Sequence, residues 1–360
     1  MFNMKHSRYV LMLVVVIFAI TLSGCTLDLG FGNSAPKGPD GGVFKTVTKG
    51  EVWQQKALIP TTSGRPGVIN TLDASVLAID PSDNRAVYFG TIGSGLYYSY
   101  DGSESWLPAI NLGPVTVSAL AIDPQNKCAI YAAVDNRVMK SVDCSRTWQQ
   151  VYFDNQLDLT IPSIAIDHYD SHNVYIATSR GEVIASSDFG KSWRTLNRFN
   201  DKVKKVIVAP ADSRIIFAAT EGKGIFRSND KGKTWKDFEL TLKDFPNSNS
   251  VRDLYVSKLQ PGFVLLANDY GLLKSINYGD DWTSIKLITP EKEGIINSAI
   301  VSEQDVKQIF YVTSTTFYST ADGGTNWTTK KLPSTRAGNI LLADPNNASI
   351  MYLGVKEIKK

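Results

Sequence analysis

The side chains of this sequence that could catalyse a reaction are carboxylates scattered over its loops. Hydrolysis of a glycosidic bond needs two carboxylates held about 5–10 Å apart across a cleft. The candidates are Asp73, Asp154, Asp158, Asp253, Glu291 and Glu293. No spacing in the sequence joins two of them into a pair, and acidic loop residues are usually only solvated. A glycoside hydrolase is therefore the less favoured interpretation.

A second candidate is the segment Asp167-His168-Tyr169-Asp170-Ser171-His172, which has the ligand types of a metal site. It occupies the same place as Asp80–Asp83 and Asp123–Asn126, where Asp and Asn are typical turn residues. One loop seldom provides a complete ligand set. We therefore predict capped turns, no metal site and no cofactor. The sequence also lacks a phosphate-binding glycine loop, paired-cysteine metal spacing and a nucleophile elbow.

Seven tryptophans indicate the structural elements that position these residues. Each closes a phrase of the form Ser/Thr-x-Asp-x-Gly-x-Thr/Ser-Trp, which we call the Asp–Trp motif. Its copies run from Asp101 to Trp106, Asp143 to Trp148, Asp188 to Trp193, Asp230 to Trp235, Asn277 to Trp282 and Asp322 to Trp327, with a degenerate copy ending at Trp53. From Trp106 onward the spacings are 42, 45, 42, 47 and 45 residues, and such a period indicates a repeat architecture.

Each repeat contains short β-branched or alternating segments separated by Asp-Pro, Asn and Gly turns, which predicts strands. Four short strands per repeat are typical of a β-propeller blade. The phrase resembles the Asp-box, or BNR repeat, of sialidases, xyloglucanase-type glycosidases, sortilin-type receptors and photosystem II assembly factors. The resemblance implies that the motif shapes the turn between the third and fourth strands and does no chemistry.

The degenerate copy predicts how the ring closes. Gly42–Trp53 aligns without gaps on Gly224–Trp235, so the domain opens with only the two outer strands of a blade. Asn339–Asp344 and Ile350–Val355 match the missing inner strands. We therefore predict an all-β fold over residues 42–358: one seven-bladed propeller with four antiparallel strands per blade, closed by strands from both ends of the chain.

The N-terminus predicts export and lipidation. Lys5, His6 and Arg8 precede the apolar run Tyr9–Ile20, which is too short for a stable membrane span. Leu22-Ser23-Gly24-Cys25 resembles a bacterial lipobox, which implies removal of residues 1–24 and a lipid on Cys25. Residues 25–41 then form a flexible tether. We expect an extracytoplasmic protein that is held to a bacterial membrane, the outer one where two exist, only by its lipid.

Charge and cysteine content limit the partners. Removal of residues 1–24 takes away Lys5 and Arg8 and no acid, so the net charge falls from +3 to +1. Nothing indicates a nucleic-acid surface, and we expect a monomer. Cys128 and Cys144 lie roughly opposite each other on the predicted hairpin, so a disulfide is favoured over two free thiols in an oxidising compartment.

Ligands of propellers bind mainly at the mouth of the central channel, on the face opposite the Asp–Trp motifs. Polar residues that open the inner strands, together with residues from the connecting loops, are predicted to form this rim: Arg65, Asp73, Lys204, Lys205, Arg252, Asp253, Asn297, Arg336 and Asn339. The basic members favour a polar or anionic partner surface. The alternative is that these residues are polar only because they meet channel water.

The plan of lipobox, tether and one propeller is similar to that of bacterial photosystem II assembly factors, which implies a scaffold. Sialidase propellers have six blades and usually an Arg-Ile-Pro motif, which this sequence lacks. Xyloglucanase-type enzymes place substrate between two propellers, and this chain supplies one. The sequence thus predicts a non-catalytic scaffold for a protein or glycan partner, with a xyloglucanase-like or sialidase-like hydrolase as the alternative.

Overall fold

The architecture is that of a computed structural model, which describes residues 39–289 and 294–358. The lipobox, Cys25, most of the tether, Glu291 and Glu293 lie outside the described residues. Seven four-stranded antiparallel sheets form the blades of a propeller. The predicted fold class and blade number are confirmed.

Blades 1–6 follow one another along the chain, and their strands run in sequence from the channel outward. Blade 1 contains β5 (Ala74–Ile79), β6 (Val87–Thr91), β7 (Leu96–Ser99) and β8 (Leu107–Pro108). Blade 2 contains β9 (Val117–Asp123), β10 (Asn126–Val134), β11 (Arg137–Ser141) and β12 (Gln149–Phe153). Blade 3 contains β13 (Ser163–Ile166), β14 (Val174–Ala177), β15 (Glu182–Ser186) and β16 (Arg194–Arg198).

The second half of the ring repeats this order. Blade 4 contains β17 (Val203–Val208), β18 (Ile216–Thr220), β19 (Ile225–Ser228) and β20 (Lys236–Asp237). Blade 5 contains β21 (Val251–Val256), β22 (Val264–Asn268), β23 (Leu272–Ser275) and β24 (Thr283–Ile285). Blade 6 contains β25 (Ser298–Val301), β26 (Ile309–Val312), β27 (Thr316–Thr320) and β28 (Thr328–Lys331).

Blade 7 joins the two ends of the domain. Its order from the channel outward is β29 (Ala337–Asp344), β30 (Asn347–Lys356), β1 (Val43–Thr46) and β2 (Gln54–Lys56). The register sets Phe44 opposite Leu353 and Thr46 opposite Met351. This is the predicted closure, and it leaves neither β1 nor β30 as a free edge.

Two small elements lie outside the blades. The loop that leads from blade 7 to blade 1 contains a hairpin, β3 (Leu58–Ile59) with β4 (Gly67–Val68), which the sequence did not predict. A single 3₁₀ turn, Ile110–Leu112, follows blade 1. No helix in the described part of the chain is long and apolar enough to cross a bilayer.

The core consists of seven apolar clusters among the described residues, one at each junction between neighbouring blades. One apolar residue of each inner strand, at the same position of every repeat, is buried in these junctions: Leu77, Leu120, Ile164, Val206, Leu254, Ala299 and Leu341. Because a blade is flat and apolar on both faces, it is stable only between two neighbours.

The Asp–Trp motif forms a tight turn between the third and fourth strands. In blade 3, the buried Ser186 Oγ accepts the Gly190 N–H at 2.8 Å and donates to Asp188 Oδ1 at 2.7 Å. The other carboxylate oxygen of Asp188 accepts the Ser192 hydroxyl at 2.6 Å. Gly190 has a φ of +87°, which strains any residue with a Cβ.

In three blades the tryptophan of the motif also bonds to the preceding blade. Trp193 Nε1 of blade 3 donates to Val151 O of blade 2 at 2.8 Å, and Trp106 and Trp327 make the equivalent bonds to Lys56 and Lys286. The Phe189 N–H donates to His172 O in the turn between the first two strands. The motifs therefore lie at the end of the ring opposite the predicted mouth.

Candidate functional site

A closed series of hydrogen bonds surrounds the channel mouth. At every junction between blades, a side chain at the start of one inner strand forms a hydrogen bond to the neighbouring blade. Its partner lies in the inner strand of that blade or in the residues just before it. The bonds join Ser75 Oγ to Val117 O (2.5 Å), Ser118 Oγ to Ile161 O (2.7 Å), Ser163 Oγ to Val206 O (3.3 Å), Lys204 Nζ to Val251 O (2.9 Å), Ser298 Oγ to Asp253 Oδ2 (3.0 Å), Asn297 Nδ2 to Gly338 O (2.6 Å) and Asn339 Nδ2 to Ala74 O (2.9 Å). We call this set the mouth ring.

The mouth ring gives the predicted rim residues a structural role. Neither interpretation of the sequence, a partner surface or polar contact with channel water, includes this role. Lys204, Asp253, Asn297 and Asn339 use their polar atoms to connect blades. Ser163 is missing from the prediction. It precedes Asp167 by four residues, whereas Ser75 precedes Asp80 by five and Ser118 precedes Asp123 by five.

Asp253 is the most connected residue of the mouth ring. Its Oδ1 accepts Lys205 Nζ at 2.6 Å, and its Oδ2 accepts the N–H of Ala299 at 3.0 Å besides the Ser298 hydroxyl. One carboxylate thereby joins blades 4, 5 and 6. The Asp253 side chain is 13% exposed, so these partners replace most of its contact with water.

The five basic rim residues do not form one cationic patch. Arg252 pairs with Asp269 at 2.5 Å in its own blade, while Arg336 pairs with Asp73 at 2.5 Å at the junction of blades 7 and 1. Burial, reinforced by the charge of Arg252, lowers the pKa of Lys204. Arg65 is exposed on the β3–β4 hairpin. The positive charges of Lys205, Arg252 and Arg336 are balanced by neighbouring acids.

Three of the predicted mouth carboxylates, Asp73, Asp154 and Asp253, are tied to basic partners in the same way. Burial alone would raise the pKa of Asp154, but hydrogen bonds from the Gln156 N–H and Arg180 outweigh it and lower that pKa. Asp73 accepts the Glu357 N–H at 2.7 Å besides Arg336, and Asp158 is exposed. Among the described carboxyls, a raised pKa is resolved for Glu303, where burial dominates and the Tyr255 hydroxyl offsets it in part. Glu303 lies in a turn at the opposite end of the ring.

The histidine-containing segment forms a capped turn. Asp167 Oδ1 accepts the Tyr169 N–H at 2.9 Å, and Asp170 Oδ1 accepts His172 Nδ1 at 2.7 Å. Within residues 39–289 and 294–358, no group of three His, Cys, Asp or Glu side chains is arranged to hold a metal ion. The same ligand types therefore serve the backbone of the turn.

The structure links Cys128 and Cys144 by a disulfide between β10 and the turn after β11. The Cα atoms are 4.0 Å apart, and the Cys144 N–H donates to Cys128 O at 3.2 Å. The cysteines thus lie opposite each other, as the hairpin register predicts.

A cavity of about 350 Å³ opens on the mouth face between the outer strands of blades 3 and 4. Its lining includes Asn197, Arg198, Lys223, Phe226, Glu239 and Asn249. None of these residues was predicted as a site residue, because they come from separate strands and loops and share no motif. One residue beside the cavity gives a local signal of the site. Glu182 follows the turn Arg180–Gly181 and is fully buried, and a buried acid requires cationic partners.

The comparisons with known proteins agree on the fold. The family model described as "Sortilin, neurotensin receptor 3" matches residues 181–271, which run from the outer half of blade 3 to the inner half of blade 5. No curated protein matches the chain by sequence.

Solved structures of two kinds are similar. A GH74 enzyme of Niastella koreensis has a TM-score of 0.64 at 16% identity and covers 87% of this chain and 53% of its own. The GH74 xyloglucanase of Xanthomonas campestris has a TM-score of 0.63 at 15% identity, with coverages of 79% and 51%. YCF48 bound to D1 peptide has a TM-score of 0.61 at 12% identity, with coverages of 85% and 97%. The chain spans about half the length of the GH74 chains, and these identities establish the fold alone.

Proposed function

We propose that this chain is a lipid-anchored, extracytoplasmic propeller that binds a protein or glycan partner on its mouth face without catalysing a reaction. The observation that carries the proposal is the state of the mouth carboxylates. Asp73, Asp154 and Asp253 each accept hydrogen bonds from a basic side chain at 2.5–2.9 Å. A general acid for glycoside hydrolysis requires the opposite environment, one that raises the carboxyl pKa.

The two kinds of structural neighbour support a binding role of this sort. YCF48 is a propeller of nearly the same extent as this chain, and its structure holds a peptide. The GH74 neighbours are enzymes with about twice the matched length. A propeller that resembles both is consistent with a partner that is held but not cleaved.

The membrane attachment in this proposal rests on Leu22-Ser23-Gly24-Cys25. Its test is metabolic labelling of cells with a radioactive fatty acid. We expect the wild-type chain to incorporate label and Cys25→Ser to incorporate none, with the variant released into the soluble extracytoplasmic fraction. Equal labelling of both chains would remove the anchor from the proposal.

Binding at the mouth face is tested by photo-crosslinking in intact cells. A photoreactive amino acid is placed at the mouth-face positions Arg65, which is exposed, and Lys202, which is half-buried. The matched controls are the exposed opposite-face positions Ser187 and Lys233. We expect discrete adducts from the mouth positions alone. Adducts only from the control positions, or from none of the four, would overturn the assignment of the binding face.

Catalysis is tested directly with the purified chain and soluble polysaccharides, by measuring the release of reducing ends. We expect none above the level of heat-unfolded protein. Turnover that Asp253→Asn or Asp154→Asn abolishes in a folded protein would replace the scaffold with a glycoside hydrolase.

A further inference from the structure

We infer that the cavity between blades 3 and 4 binds one or two sugar units of a neutral glycan. This inference rests on the proposed function, because the cavity lies on the mouth face, and it specifies one class of ligand and its position. At about 350 Å³ the cavity falls at the small end of the range typical of small-molecule sites, roughly 300–1,000 Å³.

The cavity has an aromatic floor and polar walls. Phe226 is half-buried and packs on Phe199, with ring centroids 4.6 Å apart. Asn197 and Arg198 of β16 form one wall, and the Gly222–Lys223 turn with Asp237 forms the other. An apolar floor with polar groups converging above it suits a ring that has one hydrophobic face and hydroxyls around its edge.

Two acids, the buried Glu182 and the half-buried Asp201, fix the walls. Glu182, whose side chain is 1% exposed, accepts Arg198 Nε at 2.9 Å and Arg180 Nη2 at 2.6 Å. Asp201 Oδ2 accepts the N–H groups of Gly222 at 2.6 Å and Lys223 at 3.0 Å. The walls are therefore held in place before any ligand arrives, which lowers the entropy cost of binding.

The polar groups that point to a ligand are those left without a partner. The side-chain amides of Asn197 and Asn249, the Lys223 ammonium and the Glu239 carboxylate make no hydrogen bond or ion pair to another described residue. Around the mouth ring, by contrast, Lys204, Asp253, Asn297 and Asn339 are all bonded. The cavity lining thus offers free donors and acceptors, which these four residues of the mouth ring do not.

The charge of the lining selects a neutral ligand. Arg198 and Lys223 are balanced by Asp237 and Glu239. A phosphate or an acidic sugar would be repelled by both carboxylates, and a cation would be repelled by both basic groups. For either ligand, this repulsion offsets the attraction to the groups of opposite charge.

A sugar satisfies this lining better than a peptide segment does. Each sugar hydroxyl both donates and accepts, so one ring can serve amides, carboxylates and basic groups together. A peptide backbone offers one donor and one acceptor per residue, on alternating sides of an extended strand. In a cavity of this size, a peptide would leave several of the polar groups unpaired.

The test is calorimetric titration of the purified full chain in detergent with neutral tetrasaccharides of glucose, galactose, mannose and xylose. Tetragalacturonate serves as the charged comparator and an uncharged decapeptide as the peptide comparator. We expect at least one neutral tetrasaccharide to bind and the comparators not to bind. Glu239→Gln and Asn249→Ala should each weaken that binding about tenfold, since each removes a free hydrogen-bonding group.

The matched control is Asp244→Asn, which removes one exposed carboxylate from the same loop but outside the lining. It should leave binding unchanged, and unaltered melting of all variants shows that they are folded. Failure of every neutral tetrasaccharide to bind at millimolar concentration overturns the inference. So does binding that survives the double variant Glu239→Gln/Asn249→Ala.

The two proposals fail separately. If crosslinks at Arg65 or Lys202 persist while no neutral sugar binds, the cavity inference falls and the mouth-face scaffold stands. If a neutral sugar binds and the cavity variants weaken it while those crosslinks are absent, the cavity stands as a glycan site and a protein partner at the mouth falls.

Discussion

The side-chain amide of Asn339 donates to the carbonyl oxygen of Ala74 at 2.9 Å, which joins two residues 265 positions apart in the chain. This bond completes the mouth ring at the junction of blades 7 and 1. The same junction holds the pair of Arg336 with Asp73, and blade 7 beside it holds the backbone pairing of β1 with β30. Ring closure therefore depends on side-chain and backbone contacts at one place, and these contacts form only when both ends of the domain are folded.

The first prediction concerns this closure. Asn339→Ala should lower the free energy of unfolding by about 1 kcal/mol, the usual net contribution of such a hydrogen bond. Deletion of residues 337–360 removes both inner strands of blade 7 and should abolish cooperative unfolding altogether. Urea unfolding followed by circular dichroism measures both effects.

Asn229→Ala is the control for the point substitution, because Asn229 is exposed and its side chain has no partner among the described residues. It should change stability by less than about 0.5 kcal/mol. A deleted chain that still melts cooperatively at the wild-type temperature would contradict closure by blade 7.

The second prediction concerns the Asp–Trp motif. Ser186→Ala should cost about 1–3 kcal/mol of stability, because it leaves the buried Gly190 N–H without its acceptor. The adjacent Ser187→Ala is a matched control, since Ser187 is exposed and outside the hydrogen-bond set. Equal effects of the two substitutions on thermal unfolding would show that the motif has no structural role of this kind.

Much of the fold could be predicted from the sequence because each blade repeats one local pattern. Trp and Gly at fixed spacing mark the third turn of each blade, and alternating apolar segments mark the strands. The shared blade could also be predicted, since Gly42–Trp53 lacks the two strands that Asn339–Asp344 and Ile350–Val355 supply. The β3–β4 hairpin could not, because its strands of two residues carry no periodicity.

The candidate sites were predicted less well because their residues do not share a repeat position. Polarity at the start of the inner strands indicated the mouth, but it could not reveal that Lys204 reaches Val251 O or that Asp253 joins three blades. The cavity combines β16, a turn of blade 4 and Asn249 of the next connecting loop. Which side chains converge there depends on the packing of two blades, which no spacing within the sequence records.

The third prediction concerns acid stability. Hydrogen bonds from the hydroxyl and N–H of Ser192 lower the pKa of Asp188 to about 2, below its usual 3.8. A lowered folded-state pKa stabilises the fold above pH 4, and this stabilisation is lost as the pH falls towards 2. Asp143 and Asp230 behave alike, each with a pKa of about 2 held by the threonine of its motif.

Asp188→Asn tests this directly, because Asn277 already occupies the equivalent position in blade 5 and accepts the Asp281 N–H at 2.9 Å. Wild type should lose more stability between pH 5 and pH 2 than the variant does, as measured by urea unfolding at each pH. If the stability of both proteins fell equally with pH, the lowered pKa of Asp188 would be contradicted. Asp244→Asn, an exposed acid without these bonds, should leave the curve unchanged.

The fourth prediction has the opposite sign. Burial raises the pKa of Glu303, so the folded state holds this proton more tightly than the unfolded chain does. The resulting stabilisation is complete below the unfolded pKa and is lost as the pH rises through the folded one. Glu303→Gln, which is neutral at every pH, should therefore raise the melting temperature relative to wild type at pH 7 more than at pH 4. Glu357→Gln, at an exposed position, should shift neither value, and a pH-independent effect of Glu303→Gln would sink the argument.

The last prediction concerns Cys128 and Cys144, which close a loop with a sequence separation of 16 residues. A crosslink of this span restricts the unfolded chain and typically stabilises a protein by about 2–4 kcal/mol. Titration of the unfolded, unreduced protein with a thiol reagent should find neither cysteine free, and reduction should lower the free energy of unfolding by that amount. The double variant Cys128→Ala/Cys144→Ala should match the reduced protein and should not respond to reductant, which separates loss of the crosslink from other effects of the reagent. Two titratable thiols in the unreduced chain would show that blade 2 contains no disulfide.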